Sequence, residues 1–240
     1  MKTSTLFLIA FIVMTIISCH KKPFLPIAGK GSSTTKALEH SGFDRVDLSI
    51  DATIDYTQDS IYKVEVYAQS NIQDAIKINV DGTILHITSN RTLWHHNPIR
   101  IKIHSPNMNG LSVSGSGDIN AQTPIKTGSL DIDISGSGSV SLASLTTQNI
   151  KADLSGSGKL NVWGGTALNE SLEVSGSGDI DALNLQTDES TARVSGSGSV
   201  KVSVLKKLDV SISGSGDVKY SGVPNINSKV SGSGKLISLN

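Results

Sequence analysis

Asp133, Asp153 and Glu173 stand 20 residues apart, with Asp131 two places before the first. Any fold that stacks its chain at that period brings these four acids into one strip. Like charges one layer apart repel unless a cation or a base lies among them. Three chemistries follow. The favoured one is a solvated face balanced by Lys151 and Arg193. The second is a shallow strip that coordinates Ca²⁺ or the hydroxyls of a glycan, because hard cations prefer carboxylate oxygens. The third is a pair of catalytic carboxyls about 5–9.5 Å apart, one with a raised pKa, as glycoside cleavage needs. An outward strand face gives little desolvation to raise a pKa, which disfavours catalysis.

Trp94-His95-His96-Asn97-Pro98 is the most unusual short segment and reads as a loop between strands. Its two histidines, with His86 or His104, could ligate Zn²⁺ or Cu²⁺. Neighbouring residues on a strand point opposite ways, however, so no metal ligand set is assigned. Trp94, and Trp163 beside Gly164-Gly165, could stack on a sugar ring. The favoured reading of the segment is a loop capping the end of a coil. Trp94, His95, His96 and Trp163 are candidate ligand contacts beside it.

The elements that must position these groups are set by a repeat. Ser-Gly-Ser-Gly begins at Ser114, Ser135, Ser155, Ser175, Ser195, Ser213 and Ser231, in steps of 21, 20, 20, 20, 18 and 18 residues. A period of this length marks a solenoid. The residue before each copy is aliphatic (Val113, Ile134, Leu154, Val174, Val194, Ile212, Val230). So is the residue two places after it (Ile119, Val140, Leu160, Ile180, Val200, Val218, Leu236). Strict alternation puts both columns on one face, with the glycines of each copy sharing their inward parity and the serines facing outward or lining the corner. Coils of about 20 residues have no room for a helix and two strands, and no segment of 41–240 shows helical periodicity. The fold class expected is therefore all-β, a single-stranded parallel β-helix with coils of 18–21 residues. The other corner of each coil varies in sequence, and variable solenoid loops commonly carry function.

The residue after each tetrapeptide (Asp118, Ser139, Lys159, Asp179, Ser199, Asp217, Lys235) never sets like charges on adjacent rungs, which reads as support for register. Asp is missing from four of those seven positions, so a glycine-aspartate calcium repeat is rejected. The glycines are no phosphate loop either, since no strand-to-helix turn follows them.

Residues 43–111 lack the tetrapeptide but keep the alternation, with strands expected at 45–50, 53–57, 63–68, 75–80, 84–88 and 99–104. Asp81-Gly82 signals a tight turn between two of them. This part reads as the opening coils or cap of the same β-helix, which needs a covered end to stay soluble. Lys2 and the apolar run Leu6–Ile17 read as a signal peptide, too short to span a bilayer comfortably. Ile16-Ile17-Ser18-Cys19 resembles a bacterial lipoprotein box, which implies cleavage before Cys19 and its lipidation. Cys19 is the only cysteine, so no intrachain disulfide forms. The organisation expected is a signal peptide over 1–18, a Pro/Gly/Ser/Thr-rich tether over 19–41 and a β-helix over 42–240, with opening coils at 42–111 and repeats at 112–240. Lysine and arginine number 21, as do aspartate and glutamate, and no charge run suggests nucleic acid.

Gly42-Phe43-Asp44-Arg45-Val46, the strand Thr53-Ile54-Asp55-Tyr56-Thr57-Gln58, the stretch from Ile76 to Ile87 and the Ser-Gly-Ser-Gly series together resemble the head GIN domain family of auto-transporter adhesin heads. The likeness covers about residues 41–240. It implies a β-helical envelope protein of the kind common among Bacteroidetes-type lipoproteins, with no catalytic residues to carry over. The expected function is a non-enzymatic envelope lipoprotein, held to the outer membrane by its lipid and contacting a glycan or another envelope component. A periplasmic assembly protein, with homo-oligomers formed through the rod's ends or edges, and a polysaccharide-active enzyme are the alternatives. Cys19 is followed by His20-Lys21-Lys22, not by an acidic run, which leaves the membrane side open.

Overall fold

The computed structural model describes residues 25–240. The expected signal peptide and the lipidation site Cys19 lie outside the described residues. The chain winds into a β-solenoid of about six turns. Each full coil has three sides. Face A carries Gly110–Gly115, Ser129–Gly136 and the successors of the latter down to Asn225–Gly232. Face B carries Asp118–Ala121, Ser139–Leu142, Lys159–Val162 and so on to Leu236–Ser238. Face C is short: Ile125–Lys126 pairs with Leu145 and Thr146, which pair in turn with Gly165 and Thr166. All these neighbours are parallel and most are in strict register.

Both aliphatic columns point inward. Val113, Ile134, Leu154, Val174, Val194 and Ile212 are at most 2% exposed, as are Ile119, Val140, Leu160, Ile180, Val200 and Val218. Each such side chain stabilises the rod by roughly 1.5–3 kcal/mol relative to exposure. The last members, Val230 and Leu236, are more open because no described rung follows them.

The corner between faces A and B corrects one expectation. Only the second glycine of each copy is buried; the first sits exposed or half-exposed at the bend. Gly136 has φ +123°, and a Cβ there would fall 2.6 Å from the carbonyl oxygen of Gly115 one rung below. At Gly178 a Cβ would fall 2.7 Å from the Gly158 oxygen. The first glycine thus serves backbone conformation, and both allow rungs to stack at the bend. The corner is held by main-chain bonds, as where the N–H of Ser137, Ser157 and Ser177 donates to the oxygen of Gly115, Gly136 and Gly156 at 2.8 Å.

The shortening of the repeat from 20 to 18 residues is located by the pairing of 179–196 with 199–214. The register slips between Ala182 and Gln186 and again between Thr187 and Glu189. The offset falls at the first slip and is partly restored at the second, leaving faces A and B in step.

The N-terminal part continues faces A and B and then closes the rod. Arg45–Leu48 joins face A beside Gly110–Gly115, and Ile84–Ser89 lies beyond it. Thr53–Gln58 joins face B beside Asp118–Ala121, followed by Arg100–Ser105. The expected hairpin forms, with Ile76–Asp81 antiparallel to Ile84–Ser89 and Gly82 at φ +59°. Two findings differ from the sequence reading. A short helix, Ser70–Ala75, tucks Ile72 and Ala75 into the end of the core. And the segment read as a tether contains strand Ser33–Leu38, antiparallel to Lys63–Gln69, with Ile27–Ala28 paired to Leu93–Trp94. A Ser/Thr-rich composition suits an exposed edge strand as well as a linker. Here the open edge of Lys63–Gln69 supplies the partner, and Gln69 and Gln73 donate to the carbonyls of Gly31 and Thr34.

One charged group lies in the core. The inward column Leu130, Ile150, Glu170, Ser190, Leu208 places Glu170 among aliphatics at 3% exposure. Its Oε2 accepts from the Ser190 hydroxyl at 2.8 Å, while its Oε1 has no partner. Burial pushes its pKa up to about 8, with the Ser190 bond acting weakly the other way.

Candidate functional site

The outward side of face A is built by alternation from the inward columns just described. One outward column reads His86, Asp47, Ser112, Asp133, Asp153, Glu173, Arg193, each one strand from the next. The column beside it reads Ile84, Arg45, Gly110, Asp131, Lys151. The expected acidic strip therefore exists, with Asp133, Asp153 and Glu173 in line and Asp131 beside them. It is cross-linked by cations more than expected. Arg45 Nη2 donates to Asp131 Oδ2 at 2.9 Å, and Lys151 Nζ donates to Asp153 Oδ2 at 2.6 Å. Arg45 reaches Asp131, two strands away, because Gly110 stands between them; a Cβ at Gly110 would fall 2.8 Å from Arg45 Nη1.

Among the described residues no three His, Cys, Asp or Glu side chains are placed to hold a metal ion. Arg45 and Lys151 pair with two of the four acids, Asp131 and Asp153.

At its N-terminal end this strip opens into a cleft of about 310 Å³. Arg45, Asp47, His86, Ser112, Asp131 and Asp133 line it, with Ile84 as an apolar wall. His86 Nδ1 lies 2.9 Å from Asp47 Oδ2. Asp133 has no ion-pair partner among the described residues. Partial desolvation pushes its carboxyl pKa up, and the neighbouring Asp153 charge adds to this. The cleft thus holds one available carboxylate beside one guanidinium, one imidazole and a hydroxyl. Such a set accepts from and donates to vicinal hydroxyls and offers Ile84 to a C–H face.

The other expected contacts do not gather here. Trp163 is 59% exposed at the corner leaving face B, its Nε1 donating to Ser141 Oγ at 3.1 Å. Trp94, 58% exposed, pairs with Ala28 at the N-terminal end and meets His95 edge-on at 4.7 Å. His95 adopts φ +41°, and His96 Nδ1 is 2.8 Å from the Asn97 carbonyl oxygen. His86 sits on face A and His104 beside Asp59 at 3.3 Å, so neither joins His95 and His96. Arg45 and Asp47 have no functional signal in the sequence, and His86 stands out there only as a possible metal ligand beside His95 and His96. The only signal for their position was the alternation of residues 45–48 and 84–87, and placing those segments beside Gly110 needed a register between strands far apart in the chain.

The family profile described as "Putative auto-transporter adhesin, head GIN domain" matches residues 42–224. Among solved structures, a putative adhesin from Bacteroides fragilis is 28% identical, with a TM-score of 0.85 over 89% of this chain and 100% of its own. A putative lipid binding protein from Parabacteroides distasonis is 26% identical, with a TM-score of 0.75 over 90% of this chain and 100% of its own. A putative adhesin from Parabacteroides merdae, at 20% identity and a TM-score of 0.71, shares the fold. No curated protein matches the sequence. The chain is a member of the head GIN domain family of adhesin-like β-solenoids.

Proposed function

We propose that this protein is a non-enzymatic binding module of the bacterial cell envelope, lipid-anchored at Cys19 to the outer membrane, that holds a hydroxyl-rich ligand, a glycan, against face A. The observation that carries the reading is the cleft where Arg45, Asp47, His86, Ser112 and Asp133 converge on a rigid ladder. A solenoid face positions such groups without loop ordering, so little entropy is lost when a ligand docks. Family membership and the adhesin-like relatives support a surface-binding role. The related protein described as lipid binding supports contact with an envelope component by a member of the same fold.

Catalysis is disfavoured by where the raised carboxyls lie. Glu170 is sealed in the core, and Asp133 faces open solvent beside Asp131 and Asp153 with no second desolvated acid. The test is a neutral-glycan panel probed with the full chain in detergent micelles, coupled to an assay for new reducing ends. Binding without product release is expected; release of reducing ends, or no binding to any glycan, would overturn the reading.

A second reading has its own observation. The last described rung, Asn225–Gly232, is exposed along its length, with Ile226 37% and Val230 44% exposed. An open strand edge above an apolar interior favours end-to-end pairing of two rods. That reading predicts a dimer in sedimentation that Val230→Lys dissociates. A monomer at all concentrations would reject it.

A further inference from the structure

We propose that the outer surface of face B, at its N-terminal end, carries a second binding site, and that this one takes an acidic sugar residue. The sugar ring lies on Tyr67, and its carboxylate is held by Arg100 and Lys102. The site belongs to another face than the cleft around Asp133, and the two proposals fail separately.

Three antiparallel strands build it. Ser33–Leu38, Lys63–Gln69 and Arg100–Ser105 pair so that Thr35, Tyr67 and Arg100 stand in line across the sheet, with Glu65 opposite Lys102 two residues further on. Alternation points all five outward, because Val64, Val66, Ala68, Ile101 and Ile103 fill the core beneath. They line a cleft of about 310 Å³. Directly opposed side chains in such a sheet stand about 4.5–5.5 Å apart at Cβ, so Tyr67 and Arg100 can engage the same ligand residue.

The charge pattern says what the cleft wants. Lys63 draws Glu65 at 3.0 Å, and on the same sheet Lys201 is paired with Asp181 at 2.7 Å. Arg100 and Lys102, by contrast, make no ion pair among the described residues, although Lys102 stands opposite Glu65 on one side and Asp55 on the other. Arg100 faces only Thr53 and Tyr67 across the sheet, so its planar guanidinium fork is free to hold a carboxylate through two parallel bonds. A bare anion would need nothing else. Tyr67, 44% exposed in the middle of the cleft, is a large ring left in water, and such a ring offers its face to the C–H side of a sugar. Glu65 remains able to accept from ring hydroxyls. Thr35 and the small Ala37 on the edge strand keep the entrance open for a chain of sugars.

The experiment uses the full chain in detergent micelles, titrated with an oligogalacturonate, with its carboxyl-reduced counterpart, with inorganic phosphate and with vesicles containing anionic phospholipid. The oligogalacturonate should bind, and its carboxyl-reduced form at least 10-fold more weakly. Arg100→Gln and Tyr67→Ala should each weaken binding at least 10-fold, Arg100→Lys less, and Lys201→Gln, farther along the same face, not at all. Both positions are exposed, and an unchanged melting curve confirms that each variant folds. Failure of the oligogalacturonate to bind, or equal affinity for the reduced form, overturns the proposal. So does vesicle or phosphate binding of equal strength that ignores Tyr67→Ala, which would make this a headgroup or phosphate site that reads charge alone. Should Tyr67→Ala not fold, Arg100→Gln with the reduced oligosaccharide still decides.

Discussion

At the residue scale, Glu170 is the group whose cost is clearest. A carboxyl sealed among aliphatics with one oxygen unpartnered resists ionisation. Its folded pKa of about 8 lies above the ordinary glutamate value of 4.5, so the folded state holds a proton that the unfolded chain releases. Stability from this group is fully present below about pH 4.5, falls as pH rises, and is lost above about pH 8. Glu170→Gln keeps the shape and the Ser190 contact without a charge. It should leave stability little changed at pH 4 and raise it relative to wild type at pH 8.5, by on the order of a few kcal/mol, seen as a higher melting temperature. Calorimetric melts across pH 4–9 check this; parallel pH profiles for wild type and variant would contradict it. At Gly110 the outcome is set by a flexible neighbour. Gly110→Val displaces Arg45 from Asp131 while the backbone keeps its register. Glycan affinity at face A should fall at least 10-fold while the melting temperature moves little; unchanged affinity on titration would separate Arg45 from the cleft's function.

At the element scale, the Ser-Gly-Ser-Gly corner divides its work between glycines and serines. No serine side chain of the seven copies makes a hydrogen bond among the described residues, whereas the first glycine of each occupies positive φ. Gly136→Ala is strained in conformation and blocked by the Gly115 oxygen, and should destabilise the rod by about 1–3 kcal/mol. Ser137→Ala should stay within about 0.5 kcal/mol. Urea unfolding of both variants measures this, and equal losses would show that the hydroxyls hold the corner. The repeat made faces A and B legible, because Val113 to Val230 and Ile119 to Leu236 advertise two inward columns without any structure. Face C was hidden: its strands are as short as Ile125–Lys126 and sit inside what reads as a variable corner. The edge strand Ser33–Leu38 was hidden because four of its six residues are exposed, leaving no alternation to read. Of the site, Asp131, Asp133, Asp153 and Glu173 were legible from the repeat. Arg45 and Asp47 were not, and His86 was legible only as a possible metal ligand, since parallel partners nearly 40 residues apart leave no local pattern. Tyr67 and Arg100 are opposed across 33 residues of chain, again through register alone.

At the scale of the whole molecule, a covered N-terminal end and an open last rung give the rod a direction. The hairpin Ile76–Ser89 and the helix Ser70–Ala75 close one end, which lies nearest the tether. Among the described residues no helix is long and apolar enough to cross a membrane. Attachment through Cys19 would therefore hold the rod by its covered end and leave faces A and B open along their length. Protease shaving of intact cells, with lysed cells as control, should cleave the rod in one compartment only. Cleavage before lysis would set face A toward the cell's surroundings, and cleavage after lysis alone toward the periplasm.

The most direct test of the account compares two acids on different faces of the same rod. Asp133→Asn alters the cleft on face A, and Asp181→Asn breaks the Lys201 pair on face B. Titrating the full chain with a neutral glycan that the wild type binds should show at least a 10-fold loss for Asp133→Asn and none for Asp181→Asn. Equal affinity in all three proteins, or a loss confined to Asp181→Asn, would contradict the assignment of the face A cleft as the neutral-glycan site.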